Sequence, residues 1–554
     1  MIFPSLPRFS YRFADGVINK VCFPIWHMGI TPATMLYFWG VFEGGISVPK
    51  LFFALLSVLS LFLTGCTAQK PSAVAVPIPP ATSTAGNYYQ SFTNNHAGFT
   101  LSYPTEMQAD QSLSAVRTLL RSEQAEVEIF VERKTPAMTY INYSNAPILT
   151  GRDKVQVIRH SQGIQRGRAV HELWWQRPAL REVTPDKPFY ASIDIIVERS
   201  LTYTLLFQAK TLAELERIVP VMTHYFVPVP ATGEAPAVVL PRAASRAATL
   251  STEAAALLEK LATTSQQTWG LFEPSFPLYA APLHRLESRL DYFFEYILLY
   301  SDFTSGMPGN RLMLTAKEDR IPVLTLQTFS PALGVTYSLT YDLLSGKHDE
   351  WLRQYARDVA KFGQPLLFRF NNEMNGDWCA YSAYWSSKDA SLYIASYRYL
   401  YRLFAEEGAN NVLWVWNPHD GSYPPFAWND KLLYYPGDAY VDIVGLTGYN
   451  AGTYYPGEEW RGFREIYDPL YASYDALFPH KPLIITEFAS NSVGGDKVAW
   501  IKEAMENLPR YPRISVAIWW NHADFHGIIP ARRYWLDETP ETLAAFKNGL
   551  RNFR

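Results

Sequence analysis

Two glutamates stand where packing gives little reason for one. Glu373 follows the apolar run Leu366–Phe370 (L-L-F-R-F) and the pair Asn371-Asn372. Glu487 ends the run Pro482–Thr486 (P-L-I-I-T). A strand that closes on a carboxylate delivers it to the mouth of a sheet or barrel. Two such carboxyls can bracket one bond, one as acid and the other as nucleophile. Retaining glycosidases need them about 5–5.5 Å apart, inverting ones about 6.5–9.5 Å. One must be protonated while the other is ionised, so their surroundings must differ. Either Glu alone could instead be a buried ion-pair partner, of Arg369 for example.

The elements that must hold this pair are short and apolar. Strands are expected at Trp269–Phe272, Ile297–Tyr300, Val323–Gln327, Leu366–Phe370, Val412–Trp416, Val441–Leu446, Leu483–Thr486 and Ser515–Trp519. Helical patterns fall between them at Leu283–Phe294, Glu350–Phe362, Ser391–Glu407, Phe463–Leu477 and Asp496–Leu508. Alternation of this kind over residues 266–554 predicts a (β/α)8 TIM barrel, with strands four and seven opposed across it. In that fold the chemistry gathers after the strands, and these positions are polar. Asn417, His419 and Asp420 follow strand five, Tyr449 and Asn450 follow strand six, and Trp520, Asn521 and His522 follow strand eight. His419 and Asp420 either meet substrate hydroxyls or brace their loop. His522, Asp524 and His526 have the spacing of metal ligands, but a loop at a strand end is polar anyway, and neither metal nor cofactor is expected. Cys379, Tyr381 and Trp385 either shape the cleft or pack the loop after Glu373.

Five segments carry a resemblance: R-F-N-N-E-M-N-G-D-W (369–378), L-W-V-W-N-P (413–418), V-D-I-V-G-L-T-G-Y-N (441–450), K-P-L-I-I-T-E-F (481–488) and I-W-W-N (518–521). Across about residues 266–540 the chain resembles glycoside hydrolase family 26, of the retaining (β/α)8 clan. The resemblance implies a retaining endo-β-glycosidase in which Glu373 is the general acid/base and Glu487 the nucleophile. It implies that Tyr449 orients Glu487, and that Trp378, Trp416, Trp519 and Trp520 are sugar platforms. Arg369, Asn372, Asn417 and His419 complete the expected substrate-binding set. Family 26 mannanases usually carry His just before the acid/base. Here it is Asn372, as in the wider clan, where that Asn commonly meets the sugar 2-hydroxyl. β-1,4-Mannan is the first expectation; mixed-linkage β-glucan or an exopolysaccharide is the alternative. A non-catalytic glycan-binding envelope lipoprotein is the second alternative; it would keep the aromatics but could lose a glutamate, and both are present.

Composition narrows the partners. A net charge of −3 on 554 residues argues against nucleic acid or an anionic surface as the main partner. Aromatic residues make up 15% of the chain, which suits large cores and platforms for sugar rings alike. The three cysteines, Cys22, Cys66 and Cys379, lie in separate segments, so no disulfide framework is implied, and Cys379 is expected to be a free thiol. A monomer is expected.

The length calls for several units. Lys50 and the apolar run Leu51–Leu63 make a signal-peptide core too short to span a bilayer. Leu63-Thr64-Gly65-Cys66 resembles the lipobox of bacterial lipoproteins, which implies lipidation at Cys66 and an extracytoplasmic place at the cell envelope. Residues 47–65 are thus a lipoprotein signal peptide. Residues 1–46 fit no such signal and are expected to be an extension lying ahead of a true start near Ile46 or Val48. Residues 66–87 form a Pro/Ala-rich tether. Residues 88–228 read as a small α+β domain, with strands at Gly98–Pro104, Val127–Glu132, Ala191–Glu198 and Leu201–Gln208 and a helix at Thr211–Val221. This unit resembles the PsbP/Mog1-like fold. It shows no paired carboxylates, its Trp174-Trp175 pair reads as core rather than sugar platform, and an accessory or spacer role is expected. Residues 229–265 are a second linker ending in an Ala-rich helix.

Overall fold

Strand alternation decides almost everything about the C-terminal half. Its strands are β1 (Thr268–Phe272), β2 (Tyr296–Ser301), β3 (Ile321–Leu326), β4 (Leu366–Phe370), β5 (Val412–Trp416), β6 (Ile443–Thr447), β7 (Leu483–Phe488) and β8 (Ile514–Trp520). In the computed structural model they form one closed parallel barrel. β1 pairs with β8, so no strand edge is left open. Successive side chains point to opposite faces. Leu367, Leu413, Val415 and Ile518 therefore fill the barrel, while Phe368, Trp414, Trp416 and Trp519 face the surrounding helices. The helix Thr252–Thr263 is capped by Ser251 and lays Ala254, Leu257 and Leu261 on the inner core. Ser251 N–H bonds Asn410 O just before β5, so this helix closes the N-terminal end of the barrel. The opposite, C-terminal end carries the loops that follow the strands.

The structure describes residues 88–240, 242, 245–330 and 337–553. The extension 1–46, the signal segment 47–65, Cys66 and the rest of the tether to residue 87 lie outside them. Among the described residues, no helix is long and apolar enough to cross a membrane.

Ahead of the barrel stands a seven-stranded antiparallel sheet. Its order is Gln108–Asp110, Thr118–Arg121, Ala125–Glu132, Leu201–Ala209, Phe189–Glu198, Arg168–Gln176 and Gln156–Gln165. On one face the helix Leu212–His224 packs Leu215, Ile218 and Met222 into a core that includes Trp174, Ile193 and Phe207. The other face, with Trp175, Tyr190 and Leu206, belongs to the same core as the barrel helices. The two adjacent tryptophans are therefore core residues on opposite faces, 1% and 0% exposed. A helix absent from the sequence reading, Ala137–Leu149, lies on this second face. It buries Ser144 and Asn145 beside Tyr140, Ile141 and Ile148, and it holds Pro147, so it shows little apolar stripe to read.

Candidate active site

β4 delivers its last inward side chain, Arg369, to the C-terminal end of the barrel. The chain then turns through two left-handed residues, Asn371 (φ 49°) and Glu373 (φ 53°). Such backbone costs about 1–3 kcal/mol per residue and persists only where neighbours hold it. Asn371 Oδ1 accepts from Thr328 N–H at 2.7 Å, and Glu373 N–H donates to Asn417 O at 2.8 Å. Asn372, between them, is gripped from three sides. Its Oδ1 accepts from Gln327 Nε2 at 3.0 Å, its carbonyl accepts from Tyr381 O–H at 2.8 Å, and its Nδ2 donates to Glu487 Oε1 at 3.1 Å. Tyr381 and Cys379 are buried beneath this turn and pack the loop rather than line the cleft.

Glu487 owes its direction to an irregularity. Ile484 and Thr486 point inward along β7, and plain alternation would turn Glu487 outward. The pairing of β7 with β8 shifts register between Ile485 and Phe488. The extra residue lets Thr486 and Glu487 both face the interior, while Phe488 packs outside. Three donors meet the Glu487 carboxylate: Arg369 in an ion pair, Asn372, and Tyr449 O–H to Oε2 at 2.8 Å. Burial and then the Glu487 charge push the Tyr449 hydroxyl well above its usual pKa, so it stays a proton donor. Burial opposes the Arg369 charge, and Glu487 and Tyr300 beside it together more than offset this. Beneath lies a polar layer in which Asn417 Oδ1 accepts from Arg369 Nε at 3.0 Å and from Thr486 Oγ1 at 2.8 Å. Gly445 makes room for it: a Cβ there would sit 2.8 Å from Thr486 Cγ2 and 2.9 Å from Asn417 Cβ.

Arg369 and Glu487 are a buried pair, 0% and 4% exposed. Removing one partner of such a pair strands the other. Arg369→Met is therefore expected to destabilise the chain by about 3–5 kcal/mol, read as a lower urea midpoint. An unchanged midpoint would show that Glu487 does not depend on Arg369.

Glu373 sits in different company. It is half-buried, and Trp378 Nε1 donates to its Oε2 at 3.2 Å. His419 Nε2 lies 3.9 Å from its Oε1, and the His419 ring crosses Trp378 edge-on at 5.3 Å. The wall opposite is aromatic: Trp520 stacks on Phe272 at 5.3 Å and meets Tyr449 at 6.3 Å. Among the described residues, the buried Trp520 Nε1 has no hydrogen-bond partner, so it can serve a ligand hydroxyl.

Several expected contacts prove to be struts. Trp416 is fully buried outside the barrel and donates Nε1 to Tyr434 O at 3.2 Å. Trp519 is likewise buried, donating to Tyr534 O at 2.8 Å and packing on Phe488. Neither can be a sugar platform, because strand alternation turns both away from the opening. Arg369 and Asn417 lie under the carboxylate, buried, and hold Glu487 and its neighbours instead of substrate. His419 is buried against Glu373, with Nδ1 3.0 Å from Gly421 O. The groups expected as possible metal ligands are split: Asp524 pairs with Arg532 at 2.6 Å, His526 stacks on Tyr455 at 5.9 Å, and His522 rests on Trp520 at 5.5 Å. Among the described residues, no group of three or more His, Cys, Asp or Glu is placed to hold a metal ion. Sequence reasoning missed Gln327, which holds Asn372, and Tyr300, whose ring lies 5.9 Å from the Arg369 guanidinium beside Glu487. Both end inward positions of their strands, which is the signal that would have found them.

Comparison with known proteins adds an independent line. The family model described as glycosyl hydrolase family 26 matches residues 325–473, a span that holds Glu373 and Tyr449 and stops short of Glu487. The chain is 32% identical over 215 residues to Endoglucanase H of Acetivibrio thermocellus, across 38% of this chain and 23% of that protein. It is 29% identical over 173 residues to a mannan endo-1,4-beta-mannosidase of Bacillus subtilis strain 168, across 30% of this chain and 41% of that one. Among solved structures, the catalytic domain of a Bacillus sp. JAMB-750 GH26 endo-beta-1,4-mannanase aligns with 56% of this chain and 93% of that chain, at 19% identity and a TM-score of 0.42. The matches thus span less than half the length of these curated relatives.

Proposed function

We propose that this chain belongs to glycosyl hydrolase family 26, whose model matches residues 325–473, and is a retaining endo-β-glycosidase whose first substrate is β-1,4-mannan. The observation that carries the reading is the unlike dress of two strand-end carboxyls. Glu487 is met by Arg369, Asn372 and Tyr449, a seat for an anion that must attack. Glu373 is met by an indole N–H and stands half-open at the cleft, where a proton can be given and retaken. In the first step Glu487 attacks the anomeric carbon while Glu373 protonates the departing oxygen. In the second, Glu373 takes a proton from water, which displaces Glu487 and restores both groups. Trp378 and Trp520 are the platforms that remain at the opening.

A second substrate, mixed-linkage β-glucan, is favoured by Asn372 and by the likeness to an endoglucanase. The lipobox ending at Cys66 supports an enzyme tethered by lipid to the outside of the bacterial envelope. The test is release of reducing ends by the chain from residue 67 onward on mannan, mixed-linkage glucan, xylan and laminarin. Mannan is expected to be cleaved fastest. Faster cleavage of mixed-linkage glucan transfers the assignment to the second substrate, and no cleavage of any polymer overturns it.

A further inference from the structure

The loop after Glu373 is held partly by its own turns, Lys388 N–H to Ala383 O at 2.9 Å among them, and partly from outside. Between Asp377 and the helix Ser391–Glu406 it contains two left-handed residues, Ser387 (φ 59°) and Lys388 (φ 56°). Both are buried, at 0% and 3% exposure. What covers them is the N-terminal domain. Trp175 Nε1 donates to Ser387 Oγ at 3.0 Å, and Asp153 accepts from Ser387 N–H and, at 2.7 Å, from Tyr341 O–H. Lys388 Nζ donates to Asn145 Oδ1 at 2.7 Å and Ser192 Oγ at 3.0 Å. Tyr190 O–H donates to Asp389 Oδ2 at 2.7 Å, while the other oxygen of Asp389 caps the next helix through Ser391 N–H at 2.9 Å. Burial pulls the Lys388 ammonium down to about 8 against the pull of Asp194, so this is a desolvated contact and not a wet seam. A spacer domain on a tether needs no buried lysine and no buried aspartate aimed at its neighbour.

One of these contacts leads to the chemistry. Tyr143, on the helix Ala137–Leu149, donates its hydroxyl to Asp377 Oδ2 and stacks on Tyr384 at 5.1 Å. Trp385 Nε1 donates to Asp377 O at 2.6 Å, so side chain and backbone of Asp377 are both fixed. The next residue is Trp378, whose indole donates to Glu373. That indole also lies on Gly376, where a Cβ would come within 2.5 Å of it, so its position is tightly set from below.

We infer that the domain of residues 88–228 is a working part of the active site, with Tyr143 a positioning residue that sets Glu373 through Asp377 and Trp378. The inference rests on Glu373 being the general acid. Its consequence is specific: loosening Tyr143 misplaces the acid and leaves the nucleophile alone. A misplacement near 1 Å costs up to about 100-fold where the group is needed.

The experiment compares two substrates of one full-length chain, Tyr143→Phe against wild type. The first is the polymer cleaved in the panel above, whose sugar leaving group needs a proton. The second is the 2,4-dinitrophenyl β-glycoside of the matching disaccharide, whose leaving group needs none. Polymer kcat, counted per active site by the burst amplitude, is set against the burst rate constant on the dinitrophenyl glycoside, and this ratio does not depend on how much of the variant folds. Tyr143→Phe is expected to lower polymer kcat about 10- to 100-fold with little change in KM, and initial (burst) cleavage of the dinitrophenyl glycoside by less than about twofold. Trp385→Phe, which frees the Asp377 backbone, should move the ratio the same way. A ratio unchanged in both variants overturns the inference while leaving the glycosidase reading intact. A wild-type chain that cleaves neither substrate ends that reading and this inference together.

Discussion

Glu487→Gln is expected to lose hydrolysis of every substrate, activated or not, by on the order of 10⁴–10⁶-fold in kcat. The amide keeps the size of the side chain but cannot form the glycosyl ester. It also turns an N–H₂ toward Arg369 or Tyr449, both of which donate, so one of the bonds that hold position 487 becomes a clash of donors. Stability should therefore fall along with activity, and circular dichroism must show the fold before the rate is read. Glu487→Gly supplies the sharper control. Azide can enter the space left by the side chain and attack the same face of the sugar. Rescue by azide on a dinitrophenyl glycoside, with an α-glycosyl azide as product, identifies the nucleophile by stereochemistry. Residual activity within tenfold of wild type in Glu487→Gln would sink the assignment.

The glutamate pair was legible because a charged residue at the end of an apolar strand contradicts packing. The barrel was legible for a related reason: strands buried on both faces read as unbroken apolar runs. What escaped was direction. Trp416 and Trp519 sit in aromatic strand ends of the same look as Trp520, and only counting by twos from the inward Val415 and Ile518 shows that they point away from the cleft. Glu487 breaks the same count. It faces inward through a register shift that has no composition of its own, so period-two reasoning alone would have placed it outside. The polar layer of Arg369, Asn417, Thr447 and Thr486 was hidden in a different way. Each residue looks like a ligand contact when read singly, and only their mutual bonding makes them a floor. The N-terminal domain was hardest. Ser144, Asn145 and Asp153 look like surface residues, and nothing local to them announces a partner more than 230 positions away in sequence.

Glu373→Ala should separate the two halves of the reaction where Glu487→Gln removes both. With polymer as substrate, departure of the sugar needs a proton, and the rate is expected to fall about 10²–10⁴-fold. With a dinitrophenyl glycoside the first step keeps its speed, because that phenolate leaves unaided. The second step loses its base, so glycosyl-enzyme accumulates: a burst of dinitrophenolate equal to the enzyme, then a slow steady state with a lowered KM. Azide should restore turnover here too, but with retention, giving a β-glycosyl azide. It attacks the glycosyl ester on Glu487 from the side where water would have come. Opposite anomers from the two alanine-or-glycine variants would assign the roles without reference to any relative. Equal loss on both leaving groups in Glu373→Ala, with no burst, would mean that Glu373 only shapes the cleft. The half-buried carboxyl under Trp378 would then be a binding group, and the acid would have to be sought among the other titratable residues at the C-terminal end of the barrel, His419 first, since its Nε2 is already 3.9 Å from Glu373.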